Sequence, residues 1–200
     1  MVLIGMLDSP YVRRVAIFMK VLGTEFEHRP LSVFADFEAF KKINPVVKVP
    51  TLITDDHQVL MDSTLIMDYL ATSDAQTSGR VSASGPEGVR DLCLTGLALA
   101  ACEKAVQLVY ERRLRPEEKQ HQPWVERVTG QLHGAWQTLE ERLRESAPDA
   151  LSIAGITIAV AWSFTVMMLP DSVSGGQYPE ADRFAMLAEQ LPEFLSAPMK

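Results

Sequence analysis

Short apolar runs and amphipathic segments alternate along the first seventy residues. The apolar run at 2–6 predicts a strand buried on both faces. After Pro10 the apolar residues recur every three to four positions, which predicts a helix that Gly23 closes. The pattern then predicts, in chain order, a strand at 25–31, a helix at 36–43, strands at 49–54 and 58–61, and a helix at 63–70. The order β-α-β-α-β-β-α predicts a mixed α/β domain with one parallel crossover and a terminal hairpin.

The remainder of the chain has a different pattern. Residues 72–86 are small, polar and without periodicity, which is typical of an interdomain linker. Beyond them the spacing predicts only helices, at 87–114, 123–146, 152–169 and 180–190, with a short turn after Pro192. We therefore predict an α/β domain at 1–78, a linker at 79–86 and an all-helical domain at 87–200.

The segment 150–169 carries no formal charge and is in principle long enough to cross a bilayer of about 30 Å. Four hydroxyl side chains interrupt it, and Asp149 and Asp171 flank it. The nearest basic residues are Arg144 and Arg183, so a positively charged anchor is missing. The pattern favours a buried central helix over a membrane span, and we expect no membrane partner.

Net charge and cysteine content restrict the classes of partner. With 200 residues, a net charge of −7 and no dense Lys/Arg cluster, the chain is not expected to bind nucleic acid. Cys93 and Cys102 lie nine apart on one predicted helix, too far around it for a local disulfide. Free thiols and the lack of a signal-peptide pattern predict a cytoplasmic protein. We expect no metal site, because no metal-ligand spacing links the histidines, His28, His57, His121 and His133.

Ser9, directly before Pro10, has two possible roles. A serine there is an ordinary helix N-cap, worth about 1 kcal/mol. The same position also puts its hydroxyl beside unpaired backbone N–H groups and the positive end of the helix dipole, where a thiolate would be held. Ser9 is therefore either a cap alone or a cap and a catalytic residue at once.

The segment 9–15, Ser-Pro-Tyr-Val-Arg-Arg-Val, resembles the active-site turn of serine-type bacterial glutathione transferases. It also occupies the place of the Cys-Pro-x-Cys turn of thioredoxins. With Ser9 and Val12 at the two cysteine positions, no disulfide can form, so dithiol redox chemistry is excluded. The resemblance implies a thioredoxin-like domain followed by a helical domain, with glutathione as co-substrate. It also implies that Ser9 donates a hydrogen bond to the glutathione thiolate without a covalent bond.

A second motif at 44–52, Asn-Pro-Val-Val-Lys-Val-Pro-Thr-Leu, is similar to the Asn-Pro-x-x-x-Val-Pro-x-Leu segment of that family. An isolated Val-Pro pair could simply place a proline at a sheet edge. In the family the proline is cis, and the backbone before it pairs with the cysteinyl backbone of glutathione. The resemblance assigns that role to Val49, and it lets Lys48 meet the glycine carboxylate.

The third motif is Asp62-Ser63, where either residue is a good N-cap for the helix at 63–70. In the family an acid-serine pair binds the γ-glutamyl end of glutathione. The resemblance implies that the Asp62 carboxylate pairs with the ligand ammonium and that Ser63 holds the ligand carboxylate. The family more often has glutamate at the first position, and Asp62 reaches less far.

The helical domain departs from the family at one place. Residues 151–157 are similar to the family's Leu-Ser/Thr-x-Ala-Asp-Ile segment, but Gly155 replaces the acid that would close a capping box with Ser152. We expect this change to destabilise the start of the helix by about 1–2 kcal/mol.

Together the motifs imply a detoxification enzyme, a glutathione transferase that conjugates glutathione to an electrophilic small molecule. The alternative is a catalytically silent glutathione-binding or partner-binding module on the same fold. Family resemblance and the surplus of apolar helix surface also imply a homodimer. In such a dimer Glu103 would approach the γ-glutamyl ammonium of the neighbouring site.

Overall fold

The computed structural model describes residues 1–73 and 85–199, and its N-terminal part contains a four-stranded mixed sheet. The strand order is β2-β1-β3-β4. β2 is parallel to β1, while β3 is antiparallel to both β1 and β4. The strands are β1 Val2–Ile4, β2 Glu27–Arg29, β3 Thr51–Ile53 and β4 Val59–Met61. The predicted thioredoxin-like α/β fold is thus confirmed, with strands shorter than their apolar runs.

The helices of this part are α1 Pro10–Val21, α2 Phe37–Lys41 and α3 Ser63–Ser73, and α1 and α3 pack on the sheet. The apolar positions Val12, Val15 and Met19 of α1 are fully buried, which confirms the period predicted from the sequence. α1 ends as predicted, because Gly23 takes up a left-handed φ of 67° just beyond it.

The last ten residues group with the α/β part. The chain divides into one unit of Met1–Ser82 with Leu191–Lys200 and a second unit of Ala83–Gln190. The sequence predicts these ten residues in the helical domain, but the short helix Pro192–Leu195 packs on α1. Arg13, almost fully buried, donates from Nε to the Ala197 carbonyl at 2.8 Å, and its guanidinium lies 5.8 Å from the Phe194 ring centroid. No local pattern predicts a contact across 184 residues.

The second unit is helical, as predicted. It contains α4 Gly85–Leu114, α5 Gln122–Glu145, α6 Ile153–Met168 and α7 Pro179–Ala188, and the helix at the chain end is α8. α4 packs against α5 and α6, and α7 packs against the same two helices. The start of α4 takes up the last two residues of the predicted linker 79–86, and the rest of that linker lies outside the described residues.

The uncharged segment forms α6, whose residues from Ala154 to Trp162 are all buried, so the prediction of a buried central helix is confirmed. The rings of Trp136 and Trp162 meet edge to face at a centroid distance of 4.8 Å. Within the described residues, the one helix long and apolar enough to span a membrane is α4, by length and composition alone. Core helices of other proteins pass the same test.

The start of α6 corrects the expectation for Gly155. Ser152 Oγ accepts from the Gly155 N–H at 3.0 Å, so the cap forms without an acidic partner. A Cβ on Gly155 would lie 2.1 Å from the Asp149 carbonyl oxygen and 2.8 Å from the Ala150 Cα. The preceding turn therefore packs directly on the helix start, and glycine is the residue that this packing requires.

Candidate active site

Ser9 caps α1 weakly. Its backbone is extended, with φ −72° and ψ 122°, and its Oγ accepts from the Val12 N–H at 3.5 Å. That distance is at the outer limit of a hydrogen bond, so the cap contributes little. Within the described residues the Ser9 hydroxyl has no second hydrogen-bond partner. Its proton is therefore available to a group placed at the start of α1.

Gly5 brings the start of α1 close to the Val49-Pro50 loop. Its φ of 135° lies in a region that L-residues disfavour. A Cβ on Gly5 would lie 2.5 Å from Val12 Cγ2 and 3.0 Å from Val49 Cγ1, so both side chains occupy the space in front of it. Local sequence pattern does not identify Gly5 as a site residue. Its only signal there is a glycine inside the first apolar run.

The Val49-Pro50 peptide bond is cis, as the resemblance implies. Buried side chains hold the loop before it. The Asn44 side-chain amide donates to Thr51 Oγ1 at 2.9 Å, and its Oδ1 accepts from the Val46 N–H at 3.0 Å. The Thr51 hydroxyl donates to the Lys48 carbonyl at 2.6 Å. These bonds fix the backbone on both sides of Val49.

Asp62 is the N-cap of α3. Its Oδ1 accepts from the Thr64 N–H at 2.9 Å and from the Leu65 N–H at 3.4 Å. Its φ of 74° is left-handed, a conformation that Asp tolerates better than most residues. The second carboxylate oxygen, Oδ2, lies 4.0 Å from Lys48 Nζ, and both side chains are half-exposed. One oxygen therefore caps the helix, and the other faces outward beside a cation.

Ser63 begins α3 and is buried. Arg14, on α1, donates from Nη1 to Ser63 Oγ at 2.9 Å and to Thr64 Oγ1 at 3.2 Å. The Arg14 side chain is 1% exposed. In the sequence Arg14 is only one residue of the turn motif, with no predicted role. Its partners lie 49 and 50 residues away, and a local pattern cannot show them.

The three motifs thus meet at one place in the α/β unit. Gly5 connects α1 to Val49, the Lys48-Asp62 ion pair connects that loop to the start of α3, and Arg14 connects α1 to Ser63. The arrangement offers a hydroxyl donor at one helix start, a hydroxyl and backbone N–H groups at another, one outward cation and one outward carboxylate. Such a set of groups suits a small zwitterionic ligand with an acidic thiol.

Comparisons with known proteins agree with this geometry. The model of the glutathione S-transferase N-terminal domain matches residues 3–78. A glutathione transferase family member from Pseudomonas fluorescens Pf-5, crystallised with bound glutathione, is 26% identical, with a TM-score of 0.84 over 100% of this chain and 98% of that chain. Residues 3–78 thus match a glutathione S-transferase N-terminal domain, and the whole chain is similar in fold to glutathione transferases. A Gtt2-class glutathione S-transferase of Vibrio parahaemolyticus is 25% identical, with a TM-score of 0.79 over 100% of this chain and 98% of that chain. The uncharacterized GST-like protein YibF of Escherichia coli strain K12 is 27% identical over 164 residues, 80% of each chain.

The match of residues 3–78 and the similar solved structures support the resemblance inferred from the motifs. The role of Ser9 as a serine-type catalytic residue stays a prediction, as do the glutathione-binding roles of Lys48, Val49, Asp62 and Ser63. Among residues 1–73 and 85–199, no three His, Cys, Asp or Glu side chains come close enough together to hold a metal ion.

Proposed function

We propose that the protein binds glutathione and activates its thiol for conjugation to an electrophilic small molecule. The observation that carries the proposal is the Ser9 hydroxyl, which stands at the start of α1 with a cap bond of 3.5 Å. Two crystal structures of one relative of 26–28% identity, the Pseudomonas fluorescens Pf-5 protein, hold glutathione or S-(propanoic acid)-glutathione, and they support glutathione as the ligand.

The chemistry needs a thiolate at neutral pH. A free thiol with a pKa of about 8.5 is only a few per cent ionised at pH 7. A hydroxyl donor and a helix N-terminus both favour the anion, and together they are a plausible source of a pKa lower by about one to two units. In the proposed step the thiol proton leaves to solvent, and the Ser9 O–H donates to the sulfur anion. The sulfur then bonds to the electrophilic carbon, whose leaving group departs with its electron pair.

The remaining predicted residues would bind the peptide. The Val49 backbone would pair with the cysteinyl backbone, and Asp62 Oδ2 with the γ-glutamyl ammonium. Lys48 would meet the glycine carboxylate. Its side chain is half-exposed, and an exposed ion pair contributes only about 0–1 kcal/mol, so it can turn from Asp62 to the ligand at little cost.

An absorbance titration of the thiolate in the glutathione complex tests the proposal. We expect the bound thiol to ionise about one to two pH units below free glutathione. In Ser9→Ala the bound thiol should ionise closer to the free value, whereas the matched cap variant Ser152→Ala should behave as the wild type. If glutathione binds but ionises as it does in free solution, the enzyme proposal is overturned in favour of the silent binding module.

We also propose a cytoplasmic homodimer. Neither Cys93 nor Cys102 forms a disulfide, which suits a reducing compartment. Large apolar side chains are exposed on two helices that a second copy of the chain would cover in such a dimer, Leu65 on α3 and Val89 and Leu92 on α4. Sedimentation at micromolar concentration should give twice the 22.2 kDa chain mass. A monomer that still binds glutathione would overturn the dimer and any role for Glu103 in a neighbouring site.

A further inference from the structure

Arg14 is a buried cation in direct contact with Ser63, one of the residues of the predicted γ-glutamyl subsite. Arginine is rarely buried without polar partners, and here two of its partners are the first two hydroxyls of α3. Nη1 carries two hydrogens, which suits one bond to Ser63 Oγ at 2.9 Å and one to Thr64 Oγ1 at 3.2 Å. Arg14 therefore connects α1 to α3, the helix that is expected to hold the ligand carboxylate.

The direction of the Ser63 hydrogen bond has a consequence for the ligand. A guanidinium only donates, so Ser63 Oγ is the acceptor in this contact. A hydroxyl has a single proton, and within the described residues the Ser63 hydroxyl donates to no other group. Arg14 thus fixes the position of the Ser63 oxygen and leaves its proton to donate to an anion.

The start of α7 differs from the start of α3. There the buried carboxylate of Glu140 accepts from the Glu180 N–H at 3.0 Å and from the Ala181 N–H at 3.1 Å. The protein supplies its own anion to that helix start and so satisfies it. At the start of α3 the Asp62 carboxylate accepts from the Thr64 and Leu65 N–H groups, and the Arg14 guanidinium adds a buried positive charge at Ser63 that favours a further anion from outside.

We propose that Arg14 is a positioning residue that orients the Ser63 hydroxyl toward the γ-glutamyl carboxylate of glutathione. This proposal rests on the proposed function. Arg14 acts through Ser63 and takes no part in the thiol chemistry. It should therefore determine how tightly glutathione binds through its γ-glutamyl end, and it should leave the rate of the conjugation step unchanged.

Calorimetric titration with two probes tests this role, one being glutathione and the other cysteinylglycine, which lacks the γ-glutamyl group. In Arg14→Gln we expect the affinity for glutathione to fall about tenfold and that for cysteinylglycine to stay as in the wild type. KM for glutathione should rise by a similar factor with kcat unchanged. Arg14→Lys keeps one charged donor and should recover part of the affinity.

Two further variants separate positioning from a structural effect. Arg13→Gln removes the neighbouring buried arginine of α1, whose Nε contacts the Ala197 carbonyl, so it should alter both probes alike. Ser63→Ala should lose as much glutathione affinity as Arg14→Gln, and the double variant should lose little more. If Arg14→Gln does not fold, the pair Arg14→Lys and Ser63→Ala gives the same non-additivity test.

The outcomes distinguish the two proposals. Failure of the wild type to bind glutathione overturns the proposed function and the role of Arg14 with it. Normal glutathione binding by Arg14→Gln, an equal loss for both probes, or additive losses in the double variant overturn the role of Arg14 alone.

Discussion

The helices α1 and α6, one in each unit, both begin after a serine whose side chain caps the helix. The Oγ atoms of Ser9 and Ser152 each accept from the N–H three residues further on, at 3.5 Å for Ser9 and 3.0 Å for Ser152. The Ser152 hydroxyl also donates to the Asp149 carbonyl at 2.7 Å, whereas in the described parts of the chain the Ser9 hydroxyl donates to no protein atom. The residue type alone therefore does not distinguish the two serines. They differ in whether the hydroxyl proton already has an acceptor within the protein.

The largest effect should come from Ser9→Ala. Loss of the hydroxyl donor should lower kcat for conjugation to a chromogenic aryl halide ten- to a hundredfold, about 1.4–2.7 kcal/mol, with glutathione affinity little changed. Steady-state kinetics with varied glutathione measures both quantities. Unchanged turnover would move the thiolate donor elsewhere, with Tyr11 or a backbone N–H as the next candidates.

Gly155→Ala should act on stability alone. Its Cβ would meet backbone atoms of the preceding turn, the nearest at 2.1 Å, so we expect the free energy of unfolding to fall by about 1–3 kcal/mol. Urea denaturation measures the change. The control is Gly130→Ala on α5, where a Cβ meets nothing within 4 Å, and this variant should gain about 0.5–1 kcal/mol. Equal gains in the free energy of unfolding in both variants would contradict this expectation, because the turn before α6 would then have shifted without cost to make room for the Cβ.

The variant Asp62→Asn distinguishes the role of Oδ1, which caps α3, from that of Oδ2, which faces outward. Asn tolerates the left-handed φ, and its amide oxygen can still accept from the Thr64 N–H, so the helix start should be preserved. Without the negative charge, the affinity for glutathione should fall about tenfold by calorimetry. Binding of an analogue without the γ-glutamyl amino group should not change. A loss shared by the two ligands would assign Asp62 a purely structural role.

The smallest effect should come from Ser152→Ala. Its pattern should be the reverse of that for Ser9→Ala, with a loss of stability and no loss of activity. Loss of a tight cap should lower the free energy of unfolding by about 1 kcal/mol and leave conjugation per folded molecule unchanged. Ser9→Ala should cost less stability, because its cap bond is long. Thermal and urea denaturation of the two variants, side by side with their kinetics, measure this inversion. Similar stability losses in both would remove the contrast.

Much of the fold follows from local pattern. The apolar periods predicted the strands β1 to β4 and the helices α1 to α3 to within a few residues, because a strand or helix must bury one face whatever its neighbours are. The site motifs were also local, since Ser9, Val49 and Asp62 stand at helix starts and at a strand edge where their backbone geometry is set by adjacent residues. What these stretches could not show was how they come together.

That assembly depends on contacts between residues far apart in the chain. Arg14 meets Ser63, Arg13 meets Ala197, and Gly5 makes room for both Val12 and Val49. The need for Gly155 likewise comes from the turn packed on it, which a propensity argument about that residue alone could not include. Local sequence specifies which backbone conformations are favourable, because those depend on neighbouring residues. Which buried polar group meets which partner, and which hydroxyl proton is left to donate, depends on the folded chain as a whole.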